Sequence, residues 1–376
     1  MGAGHACGTR ARAMTRIREF TAADIPRVAE VHRRAFEVAP AMTPQLLDEY
    51  AHWLNTVFLE GPARTPERQS SLVCEDGDDI IGFFGVVART VELNGRRYDA
   101  TAGSNLCVLP ERRGGIGSQI ISEYLIRSPD LAIVDEPEAR ASRLFSRAGM
   151  VVMPQSVRWT LPLSPLRHVI STVGDYVPGI AAAGPLAGLL DRAARRPRRS
   201  PFHYSGASGL VAEPMSDDGL ARLLSEFGSP EDLRPVTSDG STEWLLQRAR
   251  GKRQHGELQL VALREGDGPV VGWYVYYAKR GAAGEVLQLV AASAWTIAVL
   301  EHLALHALAR GVISLTGVMD VRFLAALSHH WAVIAPFPRQ TKYVMVHSTR
   351  PEILEAFWRN RVLLSRLDGE WCQHLR

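Results

Sequence analysis

The chain has 376 residues, of which 46% are hydrophobic, so it is long enough to bury two cores of ordinary size. Its formal net charge is only +3, with acidic and basic residues interspersed, which gives no argument for a nucleic-acid partner. Four scattered cysteines predict reduced thiols and a cytoplasmic protein. The weakly polar stretch 176–190 is too short, and too broken by glycine and proline, for the ~20 apolar residues of a membrane span.

The first half of the chain predicts a mixed order of strands and helices. Residues 1–14 are small and basic without an apolar stretch, which predicts a disordered leader. After them a short strand at 17–20 leads into helices that begin near Asp24 and Thr43. Strands then follow at 71–74, 80–91 and 98–108, and the first two are separated by a hairpin turn. These elements are typical of an antiparallel meander.

Beyond residue 108 the hydrophobic period changes. Residues 117–126 and 137–147 predict helices, 131–134 predicts a buried strand between them, and 150–163 is extended again. We therefore predict a first domain over 15–163. Gly, Pro, Ala and a run of arginines dominate 164–205, which predicts a linker with some helix. The arginines could hold a phosphate-bearing partner or a membrane surface, but a solvated linker is the favoured interpretation.

The second half, 206–376, repeats the order of the first. The hairpin glycines Gly82 and Gly272 are 190 positions apart, and Asp24 and Asp218, at the start of the first helix of each half, are 194 apart. Two unrelated landmarks with nearly equal offsets predict a tandem repeat of one fold. The predicted fold class is α+β, with a mixed sheet in each of two tandem domains.

One segment carries a chemical signal. A strand ends at Val108, Pro110 breaks it, and a loop of arginine and glycine opens directly into a helix. Free backbone N–H groups and the positive end of a helix dipole would meet there, which suits a pyrophosphate. The loop follows a meander and lacks a Gly-Lys-Ser/Thr ending, which argues against a dinucleotide Rossmann site and a Walker loop.

This segment resembles the GNAT acetyltransferase superfamily. The pattern Arg112-x-x-Gly115-x-Gly117 is similar to that family's coenzyme A loop, and the preceding Val108-x-Pro110 also matches. Residues 141–150 resemble the Ala-x-x-Leu-Tyr-x-x-x-Gly-Phe helix end of the family. The resemblance covers about residues 15–160 and implies two tandem GNAT folds, the first of which binds acetyl-CoA.

The resemblance also implies where the coenzyme lies. Its pyrophosphate would sit on the backbone amides of residues 113–118, and its pantetheine arm would pair with the strand before the loop. A backbone N–H near Val108 would stabilise the oxyanion, and no metal is needed. The implied coenzyme-binding residues are Leu106, Val108, Arg112, Arg113, Gly114, Gly115, Ile116, Gly117 and Ser118.

Three features depart from the family pattern. The spacing from Pro110 to Arg112 is one residue short, which predicts a tighter loop or a bulged strand. Phe145 stands where many relatives place a tyrosine that protonates the thiolate, so Tyr124 or Tyr98 would have to replace it, or the thiolate leaves unassisted. The second half has neither the arginine nor the glycines at 290–296, which predicts a second lobe without coenzyme A.

The general base is less well defined. Asp99 and Glu92, near the start of the strand leading to the loop, and Glu37, after the first helix, are the candidate carboxylates, although each could be an ordinary surface charge. His302 and His306 have a spacing that would suit a metal, but no third ligand is evident and a structural pair is favoured. The predicted catalytic residues are therefore Asp99, Glu92 and Tyr124.

The predicted function is transfer of acetyl from acetyl-CoA to an amine of a small molecule or sugar. The alternatives are a non-catalytic acyl-CoA sensor or scaffold, and an aminoacyl transferase of the paired-GNAT kind. The partners expected are a small-molecule amine, no nucleic acid and no membrane span, and a homodimer is left open. Only three lysines accompany the arginines, a bias typical of a GC-rich bacterial genome.

Overall fold

The computed structural model describes residues 15–62, 70–127, 130–174, 176–177, 179–205, 209–334 and 344–375. The predicted leader, 1–14, lies outside these residues. None of the described helices is long and apolar enough to cross a bilayer.

The first half has the predicted order of elements. In chain order they are β1 (Arg16–Glu19), α1 (Ile25–Ala35), α2 (Pro44–Phe58), β2 (Leu72–Asp76), β3 (Asp79–Leu93), β4 (Arg96–Val108), α3 (Ile116–Ile126), β5 (Leu131–Asp135), α4 (Ala139–Arg147), β6 (Val151–Val152) and β7 (Arg158–Pro162). The segment predicted as a linker contains α5 (Pro165–Val173) and α6 (Gly184–Arg195).

The second half repeats this order. Its elements are β8 (Leu210–Pro214), α7 (Asp217–Glu226), β9 (Arg234–Pro235), α8 (Ser241–Gly251), β10 (Glu257–Glu265), β11 (Val270–Ala278), β12 (Ala283–Ala291), α9 (Thr296–Ala309), β13 (Ser314–Val318), α10 (Leu324–His329), β14 (Val333–Ile334), β15 (Val344–Ser348) and α11 (Pro351–Trp358).

Two mixed sheets organise the molecule, and each defines a lobe. The first sheet has the order β1-β2-β3-β4-β5-β15-β6, and the second has the order β14-β7-β13-β12-β11-β10-β8. The predicted α+β fold with two tandem copies is therefore confirmed. The parallel pairs β4–β5 and β12–β13 lie at matching places in the two sheets.

The two lobes exchange one strand. β15, from the end of the chain, pairs with β5 and β6 in the first sheet, whereas β7, from the first half, pairs with β13 and β14 in the second. The exchanged strands are equivalent in position, because β15 is the sixth strand counted from β1 and β7 is the sixth strand counted from β8. The hydrogen bonds of the sheets thus cross the predicted boundaries 15–163 and 206–376, which stay predictions.

Helices cover both faces of the first sheet. Successive side chains of a strand point to opposite faces, so Phe83 packs with α1 and α2 while its neighbour Phe84 packs with α3 and α4. The near-continuous apolar sequence of β3 follows from this burial on both sides. β4 lies in the middle of the resulting three layers, and its carboxyl end opens into the arginine-glycine loop.

Candidate active site

The arginine-glycine loop leaves a row of backbone amides without protein acceptors. A 3₁₀ turn over Pro110–Arg112 follows β4, and α3 begins at Ile116. Gly114 and Gly115 have φ angles of 133° and 147°, which residues with a side chain rarely adopt. No described residue accepts a hydrogen bond from the amides of residues 114–118, whereas Gln119 N already donates to Gly115 O. An anion could therefore bind these amides without displacing protein contacts.

The two arginines of the loop are engaged elsewhere. The Arg112 guanidinium forms an ion pair with Asp76 at 2.8 Å, and Arg113 Nη2 donates to the Ala35 carbonyl at 3.2 Å. Both arginines are exposed. The loop therefore offers its backbone, with Ile116, Gly117 and Ser118 in the first turn of α3, as the primary anion-binding surface.

A β-bulge in β4 lies just before the loop. The register between β3 and β4 shifts between Phe83 and Gly85, and Asn105 in β4 has a φ of 53°. The sequence spacing predicted a tighter loop or a bulged strand, and the structure contains both this bulge and the 3₁₀ turn. The bulge turns the backbone at Leu106, next to the buried Val108.

A wedge opens between β4 and β5. Their parallel pairing covers residues 100–102 of β4 and 131–133 of β5, and no described residue of 103–108 pairs with β5. The edge of β4 that carries Leu106 and Val108 therefore keeps main-chain groups available on the β5 side. An extended polar chain such as pantetheine could pair with that edge like an added strand.

A cleft of about 390 Å³ occupies this wedge. Its walls come from α1, β3, β4, the β5–α4 connection and the last residues of the chain. They are formed by His32, Phe36, Val38, Phe84, Ser104, Asn105, Leu106, Val134, Glu136, Pro137, Glu138, Ala141, Phe145, Glu370, His374 and Leu375. The arginine-glycine loop adjoins the cleft through α4. Gly117 faces Leu144 in α4, and Leu144 is one helical turn from the cleft residue Ala141.

The C-terminal tail, residues 369–375, enters the first lobe and supplies Glu370 and His374 to the cleft. Ser104 Oγ donates to Gln373 Oε1 at 2.7 Å, and Trp53 Nε1 donates to the Gln373 carbonyl at 2.8 Å. Sequence analysis missed these residues. No local pattern marks them, because the contacts join positions more than 250 residues apart.

His32 fixes the bulge from the other side of the cleft. Its Nε2 lies 3.4 Å from Asn105 Oδ1 and its Nδ1 lies 2.9 Å from the Tyr50 hydroxyl. Because an amide oxygen only accepts, Nε2 carries the proton and Nδ1 accepts from Tyr50. Burial lowers the pKa of His32 to about 4. The ring is therefore neutral near pH 7 and acts through hydrogen bonds.

A buried network of charges lies behind the cleft. Arg366 pairs with Glu136 and Glu285, and Arg158 lies 3.2 Å from the same two carboxylates. Asp135 accepts a hydrogen bond from Glu370 N–H. Burial, and then the nearby carboxylates of Glu370 and Glu136, raise the pKa of Asp135 to about 7. The network ties the tail to β5 and to the second lobe.

The predicted catalytic residues lie away from this cleft. Asp99 is exposed and Glu92 is half-buried beside Arg234, both at the opposite end of the β3–β4 hairpin from the loop. Asp99 and Val108 are nine positions apart, which is about 30 Å of extended strand. Glu37 is exposed after α1. No comparison tests the catalytic assignments, so they stay predictions that the cleft geometry does not favour.

Tyr124 is fully enclosed. Its hydroxyl lies 3.0 Å from Thr101 Oγ1, its ring packs on Phe84, and burial raises its pKa. Tyr98 is also buried, and its hydroxyl donates to Glu352 at 3.1 Å. Phe145 lines the cleft but has no proton to give.

We expect Tyr124→Phe to lower the free energy of unfolding by about 1 kcal/mol, because one buried hydrogen bond is lost and Thr101 is left with an unmatched hydroxyl. Turnover should be unchanged at saturating substrates. Urea unfolding together with steady-state kinetics checks both statements. A fall in kcat of tenfold or more, with the fold intact, would instead support the sequence-based role of Tyr124.

The two histidines of α9 form hydrogen bonds with buried tyrosines of the second lobe. His302 Nδ1 lies 3.0 Å from the Tyr274 hydroxyl, and His306 Nδ1 lies 2.9 Å from that of Tyr276. Within the described ranges no group of three or more His, Cys, Asp or Glu side chains could hold a metal ion. Both histidines are thus accounted for by hydrogen bonds to β11.

Comparisons with known proteins agree with this geometry. A model of the GNAT acetyltransferase domain matches residues 16–130. A GCN5-related N-acetyltransferase from Anabaena variabilis is 13% identical and has a TM-score of 0.56, covering 91% of this chain and 75% of its own. A probable N-acyltransferase of unknown function from Enterococcus faecalis is 14% identical, with a TM-score of 0.53 over 92% and 74% of the two chains.

Saccharomyces cerevisiae N-myristoyltransferase, solved with myristoyl-CoA, is 10% identical with a TM-score of 0.51, over 93% of this chain and 84% of its own. At such identities these structures establish the fold alone. No curated protein matches the sequence. Residues 16–130, which contain the arginine-glycine loop, therefore match the GNAT acetyltransferase domain, and the two-lobed fold is similar to that of the GCN5-related N-acetyltransferase from Anabaena variabilis.

Proposed function

We propose that the protein is an acyl-CoA-dependent N-acyltransferase that moves acetyl from acetyl-CoA to an amine of a small molecule or sugar. One observation carries the proposal: the amides of residues 114–118 have no acceptor among the described residues, at the start of α3 and beside an open wedge. This arrangement fits a pyrophosphate followed by an extended polar arm.

The residues present fit the pyrophosphate, the pantetheine arm and the acyl group of the coenzyme. The amides from Gly114 to Ser118 would hold the pyrophosphate, and the free edge of β4 at Leu106 and Val108 would pair with the pantetheine. When bound, the thioester supplies the activated acyl group. The apolar walls formed by Phe84, Val134 and Phe145 would exclude water from it.

We infer that His374 takes the proton from the incoming amine. It lies in the cleft with 35% of its side chain exposed, and its Nε2 is 3.6 Å from Glu370 Oε1. A carboxylate at this place orients the imidazole and stabilises it once protonated. Lys252 Nζ donates to the His374 carbonyl at 3.1 Å, which fixes the tail. With Phe145 in the cleft, the thiolate leaves without help from a phenol.

Titration calorimetry with acetyl-CoA, followed by thiol release with a panel of amines, tests the activity. We expect His374→Gln to lower kcat/KM by about 100-fold or more while acetyl-CoA affinity stays within a factor of two or so, since a positioned general base contributes about that much. His52→Gln, an exposed histidine on α2, is the matched control and should leave both quantities unchanged. Equal rates in the two variants would remove His374 from the mechanism.

A second candidate function is a non-catalytic acyl-CoA sensor or scaffold, which Phe145 favours. Binding of acetyl-CoA without thiol release for any amine would support it. An aminoacyl transferase is less consistent with the structure, because it has no need of the arginine-glycine loop.

We further propose a cytoplasmic location, no nucleic-acid partner and a second lobe that shapes the acceptor side of the cleft. Whether the protein forms a homodimer is left open.

A further inference from the structure

The segment predicted as a linker is a helical hairpin fixed to the second lobe. The helical hairpin comprises α5, α6 and the described residues between them. The Asp191 carboxylate in α6 accepts the amides of Leu166 and Arg167 at 2.9 and 3.2 Å, which caps α5. Arg195 Nη1 donates to the Leu163 carbonyl at 2.9 Å, just after β7. These contacts hold the hairpin in one orientation.

The hairpin presents apolar side chains to solvent. On α6 the buried positions are Ala187 and Asp191, whereas the large aliphatic side chains lie on the open side. This is the reverse of a helix that packs an apolar face on a core. The exposed apolar residues, with their exposed fractions, are Leu166 42%, Val169 55%, Tyr176 83%, Val177 44%, Leu186 62%, Leu189 60% and Leu190 51%.

Arginines stand directly beside this apolar face. A pocket of about 230 Å³ is lined by Arg167, Arg192, Arg195 and Arg280, and none of the four forms an ion pair with any described residue. Arg167 and Arg192 also line a depression together with Leu189. Burial lowers the pKa of Arg195, and Arg192 and Arg167 add to this effect while the Asp191 carboxylate opposes it. The pocket and the apolar face are thus continuous.

The charge of this surface is not matched by the protein. Residues 164–200 contain six arginines and two aspartates, an excess of four positive charges that is larger than the +3 of the whole chain. The C-terminal end of α9 also borders the pocket, but a helix terminus carries only about half a negative charge. An anionic group therefore fits the pocket.

We propose that the helical hairpin docks on a membrane surface that contains anionic phospholipids. The arginine pocket would take a lipid phosphate, and the aliphatic side chains would enter the boundary of the acyl chains. A second copy of the chain fits less well, because a symmetric contact would place the same arginines of both copies face to face.

Sedimentation of the full chain with vesicles tests the proposal. The wild type should bind vesicles of phosphatidylcholine mixed with phosphatidylglycerol, and added salt should weaken the binding, whereas phosphatidylcholine alone should not bind. The triple variant Leu186→Gln, Leu189→Gln, Leu190→Gln should bind roughly tenfold or more weakly. Its control changes three exposed apolar residues elsewhere, Ile297, Leu305 and Leu324, to Gln and should bind like the wild type.

A second pair of variants separates charge from apolar contact. Arg192→Gln with Arg280→Gln removes two exposed pocket arginines and should weaken binding roughly tenfold. Arg16→Gln with Arg222→Gln removes the same charge from other surfaces and should not. Failure of the wild type to bind, or equal losses in variant and control, would overturn the proposal. So would a dimer in sedimentation velocity that the leucine variant converts to a monomer, because the face would then be an interface between copies.

Discussion

The Gly115→Glu variant should lose acetyl-CoA binding, with an affinity at least about 100-fold weaker than that of the wild type. The new carboxylate would compete for the amides of residues 114–118, and losing two charge-assisted hydrogen bonds costs about 3 kcal/mol or more. The φ of 147° also strains any side chain at this position. Titration calorimetry with acetyl-CoA measures the change directly.

The matched control is Gly95→Glu. Gly95 also has a positive φ, of 73°, and open space around its Cβ, but it lies in the turn between β3 and β4, far from the loop. The control should lose stability to backbone strain and keep its affinity. Undiminished acetyl-CoA affinity in Gly115→Glu would show that the pyrophosphate does not bind here, and the proposed activity would lose its main support.

The Asp135→Asn variant should be more stable than the wild type at neutral and alkaline pH. The pKa of Asp135 is raised in the folded state from 3.8 to about 7, a shift that corresponds to roughly 4 kcal/mol. Asparagine keeps an oxygen to accept Glu370 N–H and carries no charge. We expect a gain in the free energy of unfolding of a few kcal/mol at pH 8.

The pH dependence gives the sharper test. Below about pH 4 the carboxyl is protonated in both states, so the gain should vanish. Between about pH 4 and 7 only the unfolded state is ionised, and the wild type should lose stability as the pH rises. Above about pH 7 the gain should level off. Urea unfolding across this range, with the exposed Asp99→Asn as control, measures it. A gain that does not change with pH would contradict the assignment.

Local signals in the sequence were sufficient for the fold and the loop. The positions of proline and glycine predicted the loop from Pro110 to Gly117. The change of hydrophobic period after residue 108 predicted the order of helices and strands that follows. The one-residue deficit before Arg112 also pointed to the irregular backbone that appears as the bulge at Asn105. These features depend on neighbours in sequence.

Features that depend on distant contacts could not be predicted in this way. β7 and β15 are short apolar strands that suit either sheet, so nothing in their sequence assigns them to the opposite lobe. Glu370 and His374 reach the cleft only through contacts of the tail, such as Ser104 with Gln373. Asp99 stays a prediction that the cleft geometry does not favour, because the start of a 13-residue strand is remote from its end.

The role predicted for Tyr124 has a different basis and stays a prediction. The helical period already places it with Ile120 and Ile121 on the buried face of α3. A chemical role was assigned from residue type, although the period indicated the core. For a helix that packs on a sheet, the period is the better guide.

The reciprocal strand transfer links the two lobes through the main-chain hydrogen bonds of both sheets. A fragment cut near residue 200 would lack β15 between β5 and β6, and its complement would lack β7 between β13 and β14. The main-chain groups of β5 in one fragment, and of β13 in the other, would be left unpaired at a new edge of the sheet. Each half therefore needs a strand from the other to complete its sheet, and a cut between the halves would disrupt both sheets.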